Sequence, residues 1–117
     1  MELRTTCIGD VPLLEAGGDI DHSTCATLQS ALDEVFERGQ CAVLIDLHNV
    51  AYIDSGGLSV LLGGVRTVRD RGWLGVIGPN ANVQRLLEIV GLLVDPCFRV
   101  FEATEAAEAA VAEGTTT

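Results

Sequence analysis

Seven residues in the middle of the chain, Cys41-Ala-Val-Leu-Ile-Asp-Leu47, are apolar at every position but one. A strand with one wet face alternates apolar and polar residues, because successive side chains point to opposite sides of the sheet. A run without that alternation has both faces covered, which is the pattern of a strand inside a parallel sheet flanked by helices. Trp73–Ile77, closed by Gly78-Pro79-Asn80, reads the same way. Parallel neighbours need long crossovers, usually helical, so these two strands already point to an α/β fold.

The rest of the chain fills in that plan. Leu3–Ile8 and Val11–Ala16 flank the turn pair Gly9-Asp10 and read as a hairpin. Cys25, Leu28, Leu32, Val35 and Phe36 recur at helical spacing, with Asp33, Glu34 and Glu37 outside the stripe. Asp21 or Ser23 is the expected N-cap of this helix and Gly39 its stop. A second helix carries Leu58, Leu61, Leu62, Val65 and Val68 on one side, with Ser59, Arg66 and Arg69 off it. Val83, Leu86, Leu87 and Val90 mark a third, stopped by Gly91; Phe98–Phe101 is a last strand and Ala103–Glu113 a last helix. With 117 residues the chain has one domain's worth of length. The expectation is a single α/β domain over 1–117, with a central mixed β-sheet of about five strands and about four helices. Its core is expected over residues 3–112, with 113–117 a loose tail.

Charge excludes several classes of function. Seven basic residues against seventeen acidic ones give a net charge of −10. Such a surface repels nucleic acid and anionic membranes and suits a partner with a basic face. All seven basic residues are arginine, and the missing lysine removes a Walker A loop, a Schiff-base enzyme and a lysine general base. Mean hydropathy is +0.35, yet no stretch approaches the ~20 apolar residues of a membrane span. Met1 to Pro12 reads as a strand carrying Glu2, Arg4 and Asp10 rather than a secretory leader, so the expected location is the cytoplasm.

Cys7, Cys25, Cys41 and Cys97 contain no C-x-x-C pair and form no zinc spacing with His22 or His48. They are read as free thiols, Cys25 and Cys41 in the core, Cys7 and Cys97 toward loops; a disulfide switch would fall to the latter two.

The segment with most chemistry is Tyr52-Ile-Asp-Ser-Gly-Gly-Leu58, a glycine-rich turn between a buried strand and a helix start. Asp54 and Ser55 read locally as helix caps. A nucleotide cradle is disfavoured by the missing G-x-G-x-x-G, by the missing lysine and by the sign of Asp54. Ser55 lacks the leading glycine of a hydrolase nucleophile elbow, and neither histidine is placed to serve it. Asp19 with Asp21, or Asp46 with Asp54, read as turn and cap residues rather than acid–base or metal pairs. No catalytic residue, metal or cofactor is expected.

Five blocks in order carry a resemblance: Gly18-Asp-Ile-Asp21, Val43-Leu-Ile-Asp-Leu47, Tyr52-Ile-Asp-Ser-Gly-Gly-Leu58, Gly72-Trp-Leu-Gly-Val-Ile-Gly78 and Val83-x-x-Leu-Leu-x-x-x-Gly-Leu92. Together they resemble a STAS domain, and most of all the bacterial anti-sigma factor antagonists. The resemblance implies a switch. In that family an anti-sigma factor that is also a serine kinase phosphorylates a hydroxyl in the D-S-[ST]-G-L turn. The unmodified antagonist binds the kinase and frees a sigma factor, and a phosphatase resets the modified one. Carried over, Asp54, Ser55, Gly57 and Leu58 match the motif, with Ser55 the expected phosphoacceptor; the partner-binding face is expected over Asp54, Ser55, Gly56, Gly57 and Leu58, with Ser59, Arg66 and Arg69 off the apolar stripe of the helix and available for contact. Gly56 departs from the family, which usually has a second Ser or Thr there. Either Ser55 is the acceptor, or the chain is controlled otherwise. The alternatives are a non-phosphorylated STAS subunit of a lipid-trafficking transporter or stress-signalling assembly, and a small-ligand or nucleotide sensor. Monomer and weak dimer are both open.

Overall fold

A computed structural model describes residues 1–114. Strands β1 (Glu2–Ile8) and β2 (Val11–Gly17) form the hairpin, followed by α1 (Cys25–Glu37), β3 (Ala42–Asn49), α2 (Ser55–Val68), β4 (Trp73–Ile77), α3 (Ala81–Ile89), a 3-10 turn (Leu92–Val94), β5 (Phe98–Phe101) and α4 (Thr104–Gly114). The five strands lie in sequence order in one mixed sheet. β1 is antiparallel to β2, and β2 through β5 are parallel.

The register sorts the strand residues onto two faces. Leu14 pairs with Ile45 and Ile45 with Val76, while Val43 pairs with Leu74 and Leu74 with Phe98. These side chains share the larger core with Leu28, Leu32 and Val35 of α1, Leu58, Leu61, Val65 and Val68 of α2, and Val83 and Leu87 of α3. Crossovers of one hand that advance strand by strand in one direction lay their helices on the same side, which is why α1, α2 and α3 share this face. The opposite face is thinner. Leu13, Leu44 and Ile77 pack there against Ala107 and Val111 of α4, with Ile8, Val11, Trp73 and Phe101 at the margin. The Trp73 and Phe101 rings meet edge to face at 6.2 Å, and the Arg99 guanidinium stacks 4.7 Å over Trp73.

Several boundaries differ from the sequence reading. The first helix begins after Thr24, not at an Asp21 or Ser23 cap, and Thr24 makes no capping bond of its own. Asp21 Oδ1 accepts from the Ser23 and Thr24 amides and both hydroxyls, while Thr24 Oγ1 accepts from the Asp21 amide. This reciprocal pairing builds an extra turn ahead of the helix. Gly39 and Gly91 do stop their helices, at φ of 84° and 82°. Val90 lies past the end of α3 and is exposed, and a 3-10 turn follows where no element was expected. α4 extends to Gly114, so residues 113 and 114 belong to it rather than to a tail; residues 115–117 lie outside the described residues.

All four cysteines are free. Cys7 is exposed, but Cys25 and Cys41 are only partly buried, because each sits at the first turn or edge of its element. Cys97 borders a loop as expected but is half-buried rather than open, packing against the margin of the larger core just before β5. Among the described residues no helix is long and apolar enough to cross a membrane.

Candidate functional site

The parallel strands all point their carboxyl ends at one rim, where the loops 18–24, 50–54, 78–80 and 102–103 gather. Two of these loops are joined by backbone. The Ile20 amide donates to the Tyr52 carbonyl at 3.0 Å and the Asp54 amide to the Ile20 carbonyl at 3.1 Å, a one-residue parallel bridge between Ile20 and Ile53. Both isoleucines are buried, so the joint is anchored in the core.

Asp54 is extended at φ −99° and caps α2. Its Oδ1 accepts from the Gly56 amide at 2.8 Å and the Gly57 amide at 3.1 Å. Its Oδ2 accepts from the His22 amide at 2.8 Å, across 32 positions of sequence. Both carboxylate oxygens are therefore spent on backbone donors, two at the mouth of the helix and one in the loop ahead of α1. Gly57 lets the helix come this close. A Cβ there would stand 2.7 Å from Ile53 Cγ2 and 2.8 Å from both Ile20 Cγ2 and the Ile20 carbonyl oxygen.

Ser55 is the first residue of α2 and is exposed. Because Asp54 supplies the cap, the Ser55 hydroxyl makes no hydrogen bond among the described residues. Ser59, one turn on, is exposed and donates back to the Ser55 carbonyl at 2.9 Å. Gly56 lies between them, half-buried; a Cβ there would meet Asp54 Oδ1 at 3.1 Å and Cys25 Sγ at 3.4 Å.

Not all the residues expected on this face are brought together. Gly57 and Leu58 are buried and hold the turn from beneath. Arg66 is exposed but three turns along α2, about 16 Å from Ser55 at 1.5 Å per residue. Arg69 closes the far end of the helix and is tied to Asp95 at 2.8 Å. Asp95 also accepts from the Cys97 amide at 2.8 Å; that bond first, then Arg69, holds its carboxyl below the usual range, and the bond to Asp95 raises Arg69 in turn. Arg69 thus spends its charge within the chain, away from the turn.

Two contributors escaped sequence reasoning. Asn80 caps α3 through a 2.8 Å bond from the Val83 amide, and its Nδ2 donates to the Ala51 carbonyl at 3.1 Å, tying a third loop to the Ser55 turn. An Asn directly after Gly78-Pro79 and before a helical stripe is a capping signal that could have found it. Tyr52, 53 % exposed, stands beside the turn as an open aromatic ring.

The rim is acidic. The Ser23 hydroxyl, with the Ser23 and Thr24 amides, holds the Asp21 carboxyl below its ordinary value, so it stays ionised; among the described residues no basic side chain pairs with Asp21 or Asp54. Among the described residues the one buried carboxylate, Asp46, lies further down β3 and accepts from the His48 amide and, at 2.6 Å, pairs with its Nδ1. No group of three or more His, Cys, Asp or Glu among the described residues could hold a metal ion. A surface hollow runs along β1 and β2, lined by Glu2, Arg4, Glu15 and Asn49, and does not include the turn. What the turn presents is an open hydroxyl at a helix start, between two loops joined by the Ile20 backbone bonds and by Asp54.

Comparison with known proteins bears on that arrangement. A family model described as "Mlab, STAS domain" matches residues 5–94. An anti-sigma F factor antagonist of Paenibacillus polymyxa is 33 % identical over 84 residues, 70 % of this chain and 72 % of the relative. An anti-sigma factor antagonist from Mycobacterium paratuberculosis shares the fold at a TM-score of 0.82 and 23 % identity, covering 94 % of this chain and 92 % of the other. The phosphorylated form of the Bacillus cell-fate determinant SpoIIAA superposes at a TM-score of 0.74 and 16 % identity, over 94 % of this chain and 99 % of that one. The first two of these relatives are named as antagonists, a binding role rather than a catalytic one. With the sheet order, the helix placement and the matched span in agreement, the chain belongs to the STAS domain family.

Proposed function

We propose that this chain is a cytoplasmic anti-sigma factor antagonist, which binds an anti-sigma factor of the serine-kinase type and so releases a sigma factor. The observation that carries the reading is the Ser55 hydroxyl, exposed at the start of α2 and unbonded because Asp54 takes the capping role. The kinase transfers the γ-phosphoryl of ATP to Ser55 Oγ, and a phosphatase removes it. Phosphorylation adds about −1.5 to −2 charge at a helix N-terminus, where the fold tolerates it. A partner packed over Ser55 would instead bury an unpaired dianion beside Asp54, at a cost on the order of 3–5 kcal/mol. That corresponds to roughly 10²- to 10⁴-fold in affinity. Ser55, Gly56 and Ser59 are the direct contacts of this reading, and Arg66 extends the face along α2. Asp54, Gly57 and Leu58 shape it from within.

The test is a pull-down with the unmodified chain, followed by mass spectrometry of the partner and of Ser55 after incubation with that partner and ATP. Ser55→Ala should keep partner binding and abolish labelling; Ser55→Asp should weaken binding. Labelling of Ser59, or of no residue, overturns the switch. A second reading, an unphosphorylated STAS subunit of a transporter assembly, is favoured by Gly56 and by the Mlab description of the matching family model. Transporter components in the pull-down, with Ser55 unlabelled, would establish it.

A further inference from the structure

Granted Ser55 as the modified residue, we propose that Asp54 is a positioning residue which couples the charge on Ser55 to the loop ahead of α1. Among the described residues Asp54 supplies the only side-chain link between that loop and the mouth of α2: Oδ1 accepts from the Gly56 and Gly57 amides, Oδ2 from the His22 amide. The Gly56 and Gly57 amides are two of the donors that a helix start leaves without a partner inside the helix, the groups a phosphate seeks. A phosphoryl group on Ser55 Oγ sits one residue from the cap and competes for the same donors. Two anions then face one set of N–H groups, and the phosphate brings the larger charge. When the carboxylate is displaced from Gly56 and Gly57, the bond from its other oxygen to His22 goes with it, because both oxygens turn on one side-chain torsion.

The consequence is local. The backbone bridge of Ile20 with Tyr52 and Asp54 stays, since it rests on buried isoleucines. What loosens is the segment from His22 to the first turn of α1, including Ser23 and the half-buried Cys25, whose Sγ donates to the His22 carbonyl at 3.6 Å. A partner that touches both loops therefore meets a changed surface on either side of Ser55, beyond the added charge. Asp54 does not need to touch that partner.

Backbone amide hydrogen exchange in the full chain tests this without any kinase. The samples are the unmodified chain, the chain with phosphoserine installed at position 55 during translation, Ser55→Ala and Asp54→Asn. Asparagine keeps an oxygen for the α2 cap but turns an NH2 toward His22, so it removes the coupling bond and spares the cap. Exchange of the His22 amide should quicken by about tenfold or more in both the phosphoserine chain and Asp54→Asn, as expected for loss of a bond to a charged acceptor. Ser55→Ala should leave it unchanged, and the Leu58 amide, which donates to the Asp54 carbonyl, should stay protected in all four. Overturning results are His22 exchange within about twofold of the unmodified chain in the phosphoserine sample, or Leu58 losing protection together with it, which would mean the helix end had frayed. A chain that no kinase labels counts against the proposed function alone, since the phosphoserine here is placed by translation.

Discussion

Replacing Gly57 by alanine sets two effects of opposite sign against each other. Alanine is favoured over glycine in a helix by about 1 kcal/mol, and Gly57 lies in the first turn of α2. Against this, the new methyl would stand 2.7 to 2.8 Å from Ile53 Cγ2, Ile20 Cγ2 and the Ile20 carbonyl oxygen, all below van der Waals contact. None can swing aside. The isoleucines are buried with 1 % or less exposure, and the carbonyl is held by the Asp54 amide. Such overpacking costs about 1–3 kcal/mol beyond what propensity recovers. Gly63, two turns along the same helix, supplies the control, because a Cβ there meets nothing within 4 Å. Gly63→Ala should stabilise by up to about 1 kcal/mol. The two variants should therefore differ by about 2–4 kcal/mol, or about 1–3 M in the midpoint of urea unfolding followed by circular dichroism. Gly56→Ala should fall between them. A Gly57→Ala chain as stable as Gly63→Ala would refute the close approach of α2 to the Ile20 loop.

Two further outcomes are expected. Ser23→Ala removes the bond that does most to lower the Asp21 carboxyl, so its titration, followed by carboxyl carbon NMR, should move upward toward 3.8. Because the folded value lies below the unfolded one, the stability this group contributes is present above about pH 4 and is lost as pH falls through the folded value; in Ser23→Ala that loss should shrink. Asp46→Ala leaves the His48 amide and imidazole without their acceptor in β3 and should cost about 1–3 kcal/mol, read as the same urea midpoint.

How much was legible in the sequence depends on where each interaction stores its information. β3 was plain because burial on both faces erases alternation, and the stripes of α1 and α2 were plain because one face of each is buried. The turn Leu92–Val94 carries no period in three residues, and its apolar composition is misleading: Val94 is 86 % exposed. Arg66 and Arg69 were rightly set off the apolar stripe. A stripe says nothing about distance along a helix, however, and Arg69 finds Asp95 only because the chain returns past α3. The Asp54 block could be read as a cap, but its bond to His22 could not, since a backbone amide leaves no mark in the side-chain pattern. Cys97 reads as a loop position because it borders one, whereas its partial burial is set by the core under β5.

The order of strands in the sheet also bears on how the chain assembles. Parallel partners such as Leu13 and Leu44, or Val43 and Leu74, lie roughly 30 residues apart, so each pairing closes a loop of similar and modest length. No strand has to insert between two already in place. On the ribosome the hairpin is finished first, and each later strand docks on the edge its predecessor has just exposed. The sheet therefore grows in the direction of synthesis, and the edge of β4 stays open for pairing until Phe98–Phe101 has left the exit tunnel. An arrest of synthesis between β4 and β5 therefore presents an edge that is covered in the finished fold to other chains.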